Sequence, residues 1–172
     1  MDIQDGLTIS SCKLRAVYMG LLVMSPILLG IYWVMVGLGN AELASHLPVT
    51  LDAETPTISL VAGYFISLIP TGVLMYALYQ LYKLFTLYGK GVLLDLQNVA
   101  CYKSLGKAIL YYELAAFLSE VALGIILTLH RGEGNRLLVI NLSGSDLFII
   151  VTGVTMLSLA KVMETARQMV KA

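Results

Sequence analysis

Long apolar runs separated by short polar segments dominate the sequence. Four runs have about the 20 residues that an α-helix needs to cross a hydrocarbon core of about 30 Å. They cover residues 14–39, 58–84, 105–129 and 147–165. Lipid offers the backbone no hydrogen bonds, and the ten-residue alternation of a membrane β-barrel does not occur, so each run is predicted to be helical. The sequence therefore predicts an all-α integral membrane protein, a four-helix bundle in one transmembrane domain of residues 1–172.

The distribution of basic residues predicts how these spans are oriented. Most Lys and Arg residues lie before the first span, between the second and third, or after the fourth. They are Lys13, Arg15, Lys83, Lys90, Lys103, Lys107, Lys161, Arg167 and Lys171. Only Arg131 and Arg136 lie in the other connections, and the connection 40–57 contains acidic residues but no Lys or Arg. Because cytoplasmic loops carry the excess of basic residues, we expect both termini in the cytoplasm.

Composition agrees with a membrane protein and excludes other classes. The chain is 58% hydrophobic and 13% charged, whereas soluble domains average about 45–50% apolar and about 25% charged residues. Its formal net charge is zero, so there is no basic excess for direct nucleic-acid binding. We find no phosphate loop, nucleophile elbow or metal-ligand motif. The sequence predicts a non-enzyme with no catalytic residues, no metal site and no cofactor.

Two acidic residues, Glu113 and Glu120, fall inside the third span, where ionisable groups are functional candidates. Seven residues amount to about two helical turns and about 10 Å, so both carboxyls lie on one face. Gly106 shares this face and would let a neighbouring helix approach closely. We expect the carboxyls to point into the bundle or toward a partner. The polar side chains on neighbouring spans are Thr71, Tyr76, Gln80, Thr152, Thr155, Ser158 and Lys161.

Three interpretations of the two carboxyls stay open from the sequence. Both are neutral or hydrogen-bonded packing residues, or they form an ion or proton relay, or they bind a partner. In the first case Tyr76 is a hydrogen-bond partner and Lys161 pairs with Glu113 or extends to the membrane surface.

The start of the fourth span is placed at Leu147, with Ser145 or Asp146 as its N-cap. The short apolar stretch before it, residues 137–142, is predicted to be an extended segment over the outer side of the bundle.

The connection between the second and third spans is the most distinctive polar stretch. A helix is expected to continue past Phe85 and to stop at the glycines around Lys90 and Gly91. Asp95 or Asn98 then caps the next helix. The hairpin 83–107 and the tail 161–172 form the only sizeable predicted cytoplasmic surface. We therefore predict that partners bind at Phe85, Lys90, Gly91, Asn98 and Lys103.

This hairpin resembles that of the uncharacterised YoaS-like family of small bacterial membrane proteins. Phe85, Lys90, Gly91, Asn98 and the pair 105–106 carry the resemblance, and residues 159–163 are similar to the family's closing helix. The resemblance covers about residues 60–170, although Leu93 and Leu94 stand where the family has a phenylalanine. It implies a four-helix protein of the bacterial inner membrane without an established activity. It also implies membrane control of a transcription factor, because genes of this family lie beside small helix-turn-helix regulators.

Two functional hypotheses follow. The first is a non-enzymatic polytopic membrane protein that acts through protein partners, as a regulatory or sensor component or as an accessory subunit. Its expected partners are membrane lipid, other protein subunits or further copies of itself, and a cytoplasmic regulator. The alternative is an oligomeric ion, proton or small-molecule transporter or channel unit that uses Glu113 and Glu120.

Overall fold

The computed structural model describes residues 3–51, 55–92, 95–131 and 143–171. Within these ranges the regular structure consists of helices alone, so the predicted all-α class is confirmed. The helices are α1 (Ile3–Gly37), α2 (Ala41–Ala44), α3 (Thr57–Gly89), α4 (Leu96–Thr128) and α5 (Gly144–Lys171). The short helix α2 was not predicted. It begins where the Asn40 side chain accepts a hydrogen bond from the Leu43 N–H.

Each predicted span lies on a helix that is long and apolar enough to cross a membrane. These helical segments are Lys13–Gly37, Thr57–Gly89, Leu96–Thr128 and Gly144–Met169. The helices α3 and α4 have 33 residues each, which corresponds to about 50 Å at a rise of about 1.5 Å per residue. Both are longer than the predicted spans, because the helices continue through polar residues until a capping residue stops them.

The four long helices pack in the spatial order α1–α3–α4–α5. α3 lies between α1 and α4, and α4 lies between α3 and α5. In the described part of the chain, α1 and α5 make no contact, so the bundle is open between them. Neighbouring helices are antiparallel. The turn between α3 and α4 therefore lies at the same end as the start of α1 and the end of α5. We call this end the hairpin end, and the opposite end, at Gly37 and Thr128, the far end.

Glycines bring α4 and α5 into close contact. A Cβ on Gly106 would lie 2.8 Å from Leu157 Cγ and 3.0 Å from the Gly153 carbonyl oxygen. A Cβ on Gly153 would lie 2.8 Å from Leu110 Cδ2. Such close packing is typical of membrane helices, in which small residues let backbones approach. The role predicted for Gly106 is confirmed, and Gly153 is its counterpart on α5.

The outward faces of the long helices are apolar. Ile58, Phe65 and Phe148 are 74%, 62% and 73% exposed, respectively. Exposed apolar surface on this scale is unfavourable in water and matches contact with lipid or with other membrane proteins. The open arrangement leaves both faces of the helix row available for such contacts.

The predicted N-cap of the fourth helix is wrong. α5 begins at Gly144 rather than Leu147, and Ser143 precedes it instead of Ser145 or Asp146. Asp146 lies in the first turn, where its carboxylate accepts a hydrogen bond from the Ser143 N–H at 2.6 Å. An acid that accepts from the N–H three residues earlier forms one half of a capping box, which marks Ser143 as the residue before the helix. The predicted extended segment 137–142 lies outside the described residues.

Candidate functional site

Backbone hydrogen bonds fix the end of α3 at the hairpin. Gly91 adopts a positive φ of 72°. The Val92 N–H donates to the Leu87 carbonyl at 3.1 Å, and the Gly91 N–H donates to the Tyr88 carbonyl at 3.0 Å. These two bonds form a Schellman motif, in which glycine is favoured because other residues rarely adopt a positive φ. The helix therefore ends at the predicted glycines, with Lys90 as its C-cap.

Asn98 ties the turn to α4. Its side chain is fully buried, and Nδ2 donates to the Val92 carbonyl at 2.6 Å. Its Oδ1 accepts no hydrogen bond from the described residues. The N-cap of α4 is Asp95, whose carboxylate accepts from the Leu96 N–H at 2.7 Å. Of the two capping residues left open by the sequence, the structure therefore selects Asp95 and gives Asn98 a different role.

Aromatic side chains of α1, α3 and α4 contact one another near the turn. Tyr18 of α1 stacks on Phe85 of α3, with ring centroids 5.3 Å apart. Phe85 contacts Tyr88 edge-on at 5.9 Å. The Tyr88 and Tyr102 hydroxyls form a hydrogen bond of 2.9 Å between α3 and α4. Phe85 is thus half-buried inside a row of aromatic rings and is not a free surface residue.

Basic side chains surround this turn. The exposed lysines at the hairpin end are Lys13, Lys83, Lys90, Lys103, Lys107 and Lys161. Arg167 near the end of α5 is half-buried and lies 3.8 Å from the Asp95 carboxylate. An ion pair of this exposure contributes little stability, but it shows that α5 reaches the turn. The hairpin end is therefore a positively charged surface around the end of α3 and the start of α4.

The structure does not bring the predicted intramembrane polar residues together. Among the described residues, neither Glu113 nor Glu120 has a hydrogen bond or an ion pair. Tyr76 is 49% exposed on α3. Leu157 lies beside Gly106, which places Lys161 about 16 Å along the axis from Glu113 at about 1.5 Å per residue.

Hydroxyl groups of the neighbouring spans bond within their own helices instead. Thr71 donates to the Ser67 carbonyl. Thr152, Thr155 and Ser158 each donate to the carbonyl four residues earlier. These threonine and serine side chains therefore do not donate to the two carboxyls.

A cavity of about 440 Å³ lies at the far end. Its walls come from α1, α3, α4 and the segment that follows α2. The lining residues are Tyr32, Trp33, Ser45, His46, Leu47, Pro48, Ser67, Glu120 and Leu123. Its volume falls in the range of about 300–1,000 Å³ found for small-molecule sites. Glu120 therefore differs from Glu113 in that it lines a cavity, together with residues of three other segments.

The segment after α2 covers this cavity and is held at several points. The Tyr32 hydroxyl donates to the Leu43 carbonyl at 3.2 Å. Arg131 Nη2 donates to the Thr50 carbonyl at 2.7 Å. Val49 is only 4% exposed and packs in one cluster with Trp33 and leucines of α4. One side of the cavity is therefore formed by an anchored segment and not by a loose surface loop.

Most neutral polar groups around the cavity already have partners. Trp33 Nε1 donates to Ser67 Oγ at 3.2 Å, and Ser67 Oγ donates to the Gly63 carbonyl at 2.9 Å. Ser45 Oγ donates to the Glu42 carbonyl at 2.6 Å. The side chains of Glu120 and His46 have no such partners among the described residues. Sequence reasoning found Glu120 but missed the cavity, since its other walls come from residues far apart in the chain.

Four long apolar helices with exposed apolar faces define the class of this molecule, a multi-pass membrane protein. A family model matches residues 41–171, which is more than half of the chain. The protein therefore belongs to this family, described as protein of unknown function (DUF2975). No curated protein and no solved structure matches the chain. The matched residues include the whole hairpin and Glu120, whereas α1 precedes them.

Proposed function

We propose that this protein is a non-enzymatic component of the cytoplasmic membrane that acts through a protein partner, and that the partner docks at the hairpin end. It would serve as a regulatory component or as an accessory subunit. The observation that supports this most directly is the basic surface where α3 ends and α4 begins. A Schellman motif ends α3, and the Asn98–Val92 hydrogen bond joins that end to α4.

A docking surface built on helix ends is favourable, because a partner need not immobilise it on binding. Lys90 on the turn and Lys103 on α4 are both exposed. Complementary charge favours a partner whose surface is acidic, and it increases the association rate. The proposed partner is therefore a protein with an acidic surface patch.

The same charges support an orientation with the hairpin in the cytoplasm. Exposed lysines concentrate at the hairpin end, and the positive-inside rule assigns such an end to the cytoplasm. Both termini would lie there too, since α1 begins and α5 ends at this end. The resemblance of the hairpin to the YoaS-like family further supports a bacterial inner membrane and a cytoplasmic regulator as the partner.

Charge reversal at the turn tests the proposal. Full-length protein would be cross-linked in native membranes, purified, and its companions identified by mass spectrometry. We expect Lys90→Glu combined with Lys103→Glu to abolish recovery of the partner. The matched control is Lys13→Glu combined with Lys161→Glu, which changes the net charge equally but lies on the two outer helices.

An accessibility assay on terminal tags would verify that both double variants keep the wild-type topology. Retention of the same companions by the turn variant would contradict the proposal. Recovery of wild-type protein without any companion would contradict it as well.

One observation favours a second function, the oligomeric transport unit. Glu120 borders a cavity, and carboxyls inside spans are typical of ion or substrate pathways. Four helices in an open row do not enclose a pathway, so transport would require further copies. Proteoliposome flux that is the same for wild type and for Glu120→Gln would exclude this use of the carboxyl.

A further inference from the structure

The hydrogen-bonding groups that line the far-end cavity indicate what kind of ligand it would bind. The Trp33 indole N–H and the Ser67 and Ser45 hydroxyls already donate to protein acceptors. The Tyr32 hydroxyl also donates to a backbone carbonyl. Among the described residues that line the cavity, the charged side chain without a counter-ion is Glu120. A complementary ligand must therefore supply a positive charge or hydrogen-bond donors.

We propose that this cavity binds a small organic cation, an ammonium group attached to an apolar body, with the Glu120 carboxylate as its counter-ion. The proposal concerns the far end and does not depend on partner docking at the hairpin. Glu120 is the ion-pairing residue, and the neighbouring apolar and aromatic side chains hold the body of the ligand.

The remaining walls fit the apolar part of such a ligand. Leu47, Pro48 and Leu123 line the cavity together with the rings of Tyr32 and Trp33. The two rings stand nearly perpendicular, at 86°, with centroids 6.0 Å apart. Aromatic rings attract organic ammonium groups through their quadrupole.

A second lining side chain also fits a ligand that donates hydrogen bonds. The imidazole of His46, also part of the lining, offers a nitrogen acceptor in its neutral form. An ammonium group supplies donors for such acceptors, whereas a carboxylate anion supplies none.

Trp33 provides the signal for the test, because it lines the cavity and is the single tryptophan of the sequence. Full-length protein in lipid nanodiscs would be titrated with cyclohexylammonium, cyclohexanol and cyclohexanecarboxylate. These three probes share one apolar ring, differ in charge, and are optically silent at the excitation wavelength of tryptophan. We expect a saturable change in Trp33 emission with cyclohexylammonium alone. Partitioning into lipid would instead give a change that rises without saturation.

Two isosteric variants separate the cavity carboxyl from the other carboxyl of α4. We expect Glu120→Gln to weaken cyclohexylammonium binding by about tenfold or more, a factor that corresponds to about 1.4 kcal/mol. The matched control Glu113→Gln should retain the wild-type affinity within a factor of about two, which is below 0.5 kcal/mol. The hairpin variant with Lys90→Glu and Lys103→Glu should bind as the wild type does, which keeps this test independent of the proposed partner.

The proposal fails if cyclohexylammonium gives no saturable change, or if cyclohexanol binds equally well. It also fails if Glu113→Gln weakens binding as much as Glu120→Gln does. Should Glu120→Gln not fold, the comparison of the three probes on the wild-type protein still decides the question.

Discussion

The contact between Trp33 and Gly63 leaves no room for a side chain on α3. A Cβ on Gly63 would lie 2.8 Å from Trp33 Cζ3 and 3.0 Å from Cζ2, and closer still to Cη2. The indole is 6% exposed and is also held by its hydrogen bond to Ser67. The ring therefore cannot move aside without breaking its own packing. We expect the substitution Gly63→Ala to displace Trp33 and to destabilise the protein.

The magnitude follows from three contributions. Overpacking a well-packed site costs about 1–3 kcal/mol. Loss of the Trp33–Ser67 hydrogen bond costs a further ~0.5–1.5 kcal/mol. Alanine gains about 0.5–1 kcal/mol over glycine inside a helix. The expected net destabilisation of Gly63→Ala is therefore about 0.5–4 kcal/mol, once the helix gain is subtracted from the two losses.

The free energy of unfolding would be measured by titration with SDS in mixed micelles, with Trp33 emission and circular dichroism as probes. The matched control is Gly72→Ala on the same helix, where a Cβ meets nothing within 4 Å. We expect this control to be neutral or stabilising by up to about 1 kcal/mol. Equal stability of the two variants, with Trp33 emission unchanged in both, would refute the reasoning.

Three further substitutions test the hairpin and the α4–α5 contact by the same unfolding measurement. Asn98→Ala should destabilise by about 1–3 kcal/mol, because it removes the donor to the half-buried Val92 carbonyl; a stability equal to wild type would contradict this. Gly91→Ala should cost about 1–2 kcal/mol through its positive φ, and Gly91→Asn should recover part of that loss. Gly106→Ala should force α5 away at Leu157 and cost about 1–3 kcal/mol, and a neutral result would show that α5 can shift freely.

Local patterns in the sequence were sufficient to predict the helices and one helix end. Run length alone located the four spans, since no other structure satisfies the backbone of so long an apolar segment. Gly91 marked the end of α3, because a Schellman motif needs a positive φ that glycine provides. The close approach of a neighbouring helix at Gly106 of α4 was likewise predictable, because this small residue lies on the same helix face as the two glutamates.

Features that depend on the axial positions of the helices were not predictable from the sequence. The predicted pairing of Lys161 with Glu113 would require these residues to lie at one depth. That depth follows from the packing of α5 on α4, where Leu157 lies opposite Gly106. The cavity was missed for a similar reason, because Trp33, His46 and Glu120 approach each other only after several long-range contacts form. The helical periodicity of the sequence shows on which face of a helix a residue lies. It does not show which residue of the neighbouring helix lies at the same depth.

The hairpin end and the far-end cavity depend on α1 to different degrees. A change in α1 can therefore perturb one site without the other. The bonds that shape the hairpin turn join residues of α3, α4 and their connection, all within the region matched by the family model. The cavity instead takes Tyr32 and Trp33 from α1, which precedes that region. Among the described helices, the backbone of α1 lies against α3 and α2, and Trp33 also belongs to a cluster with leucines of α4. A shift of α1 would open the cavity wall while the turn kept its hydrogen bonds. The contact of Tyr18 with Phe85 is the point at which such a shift would reach the hairpin end.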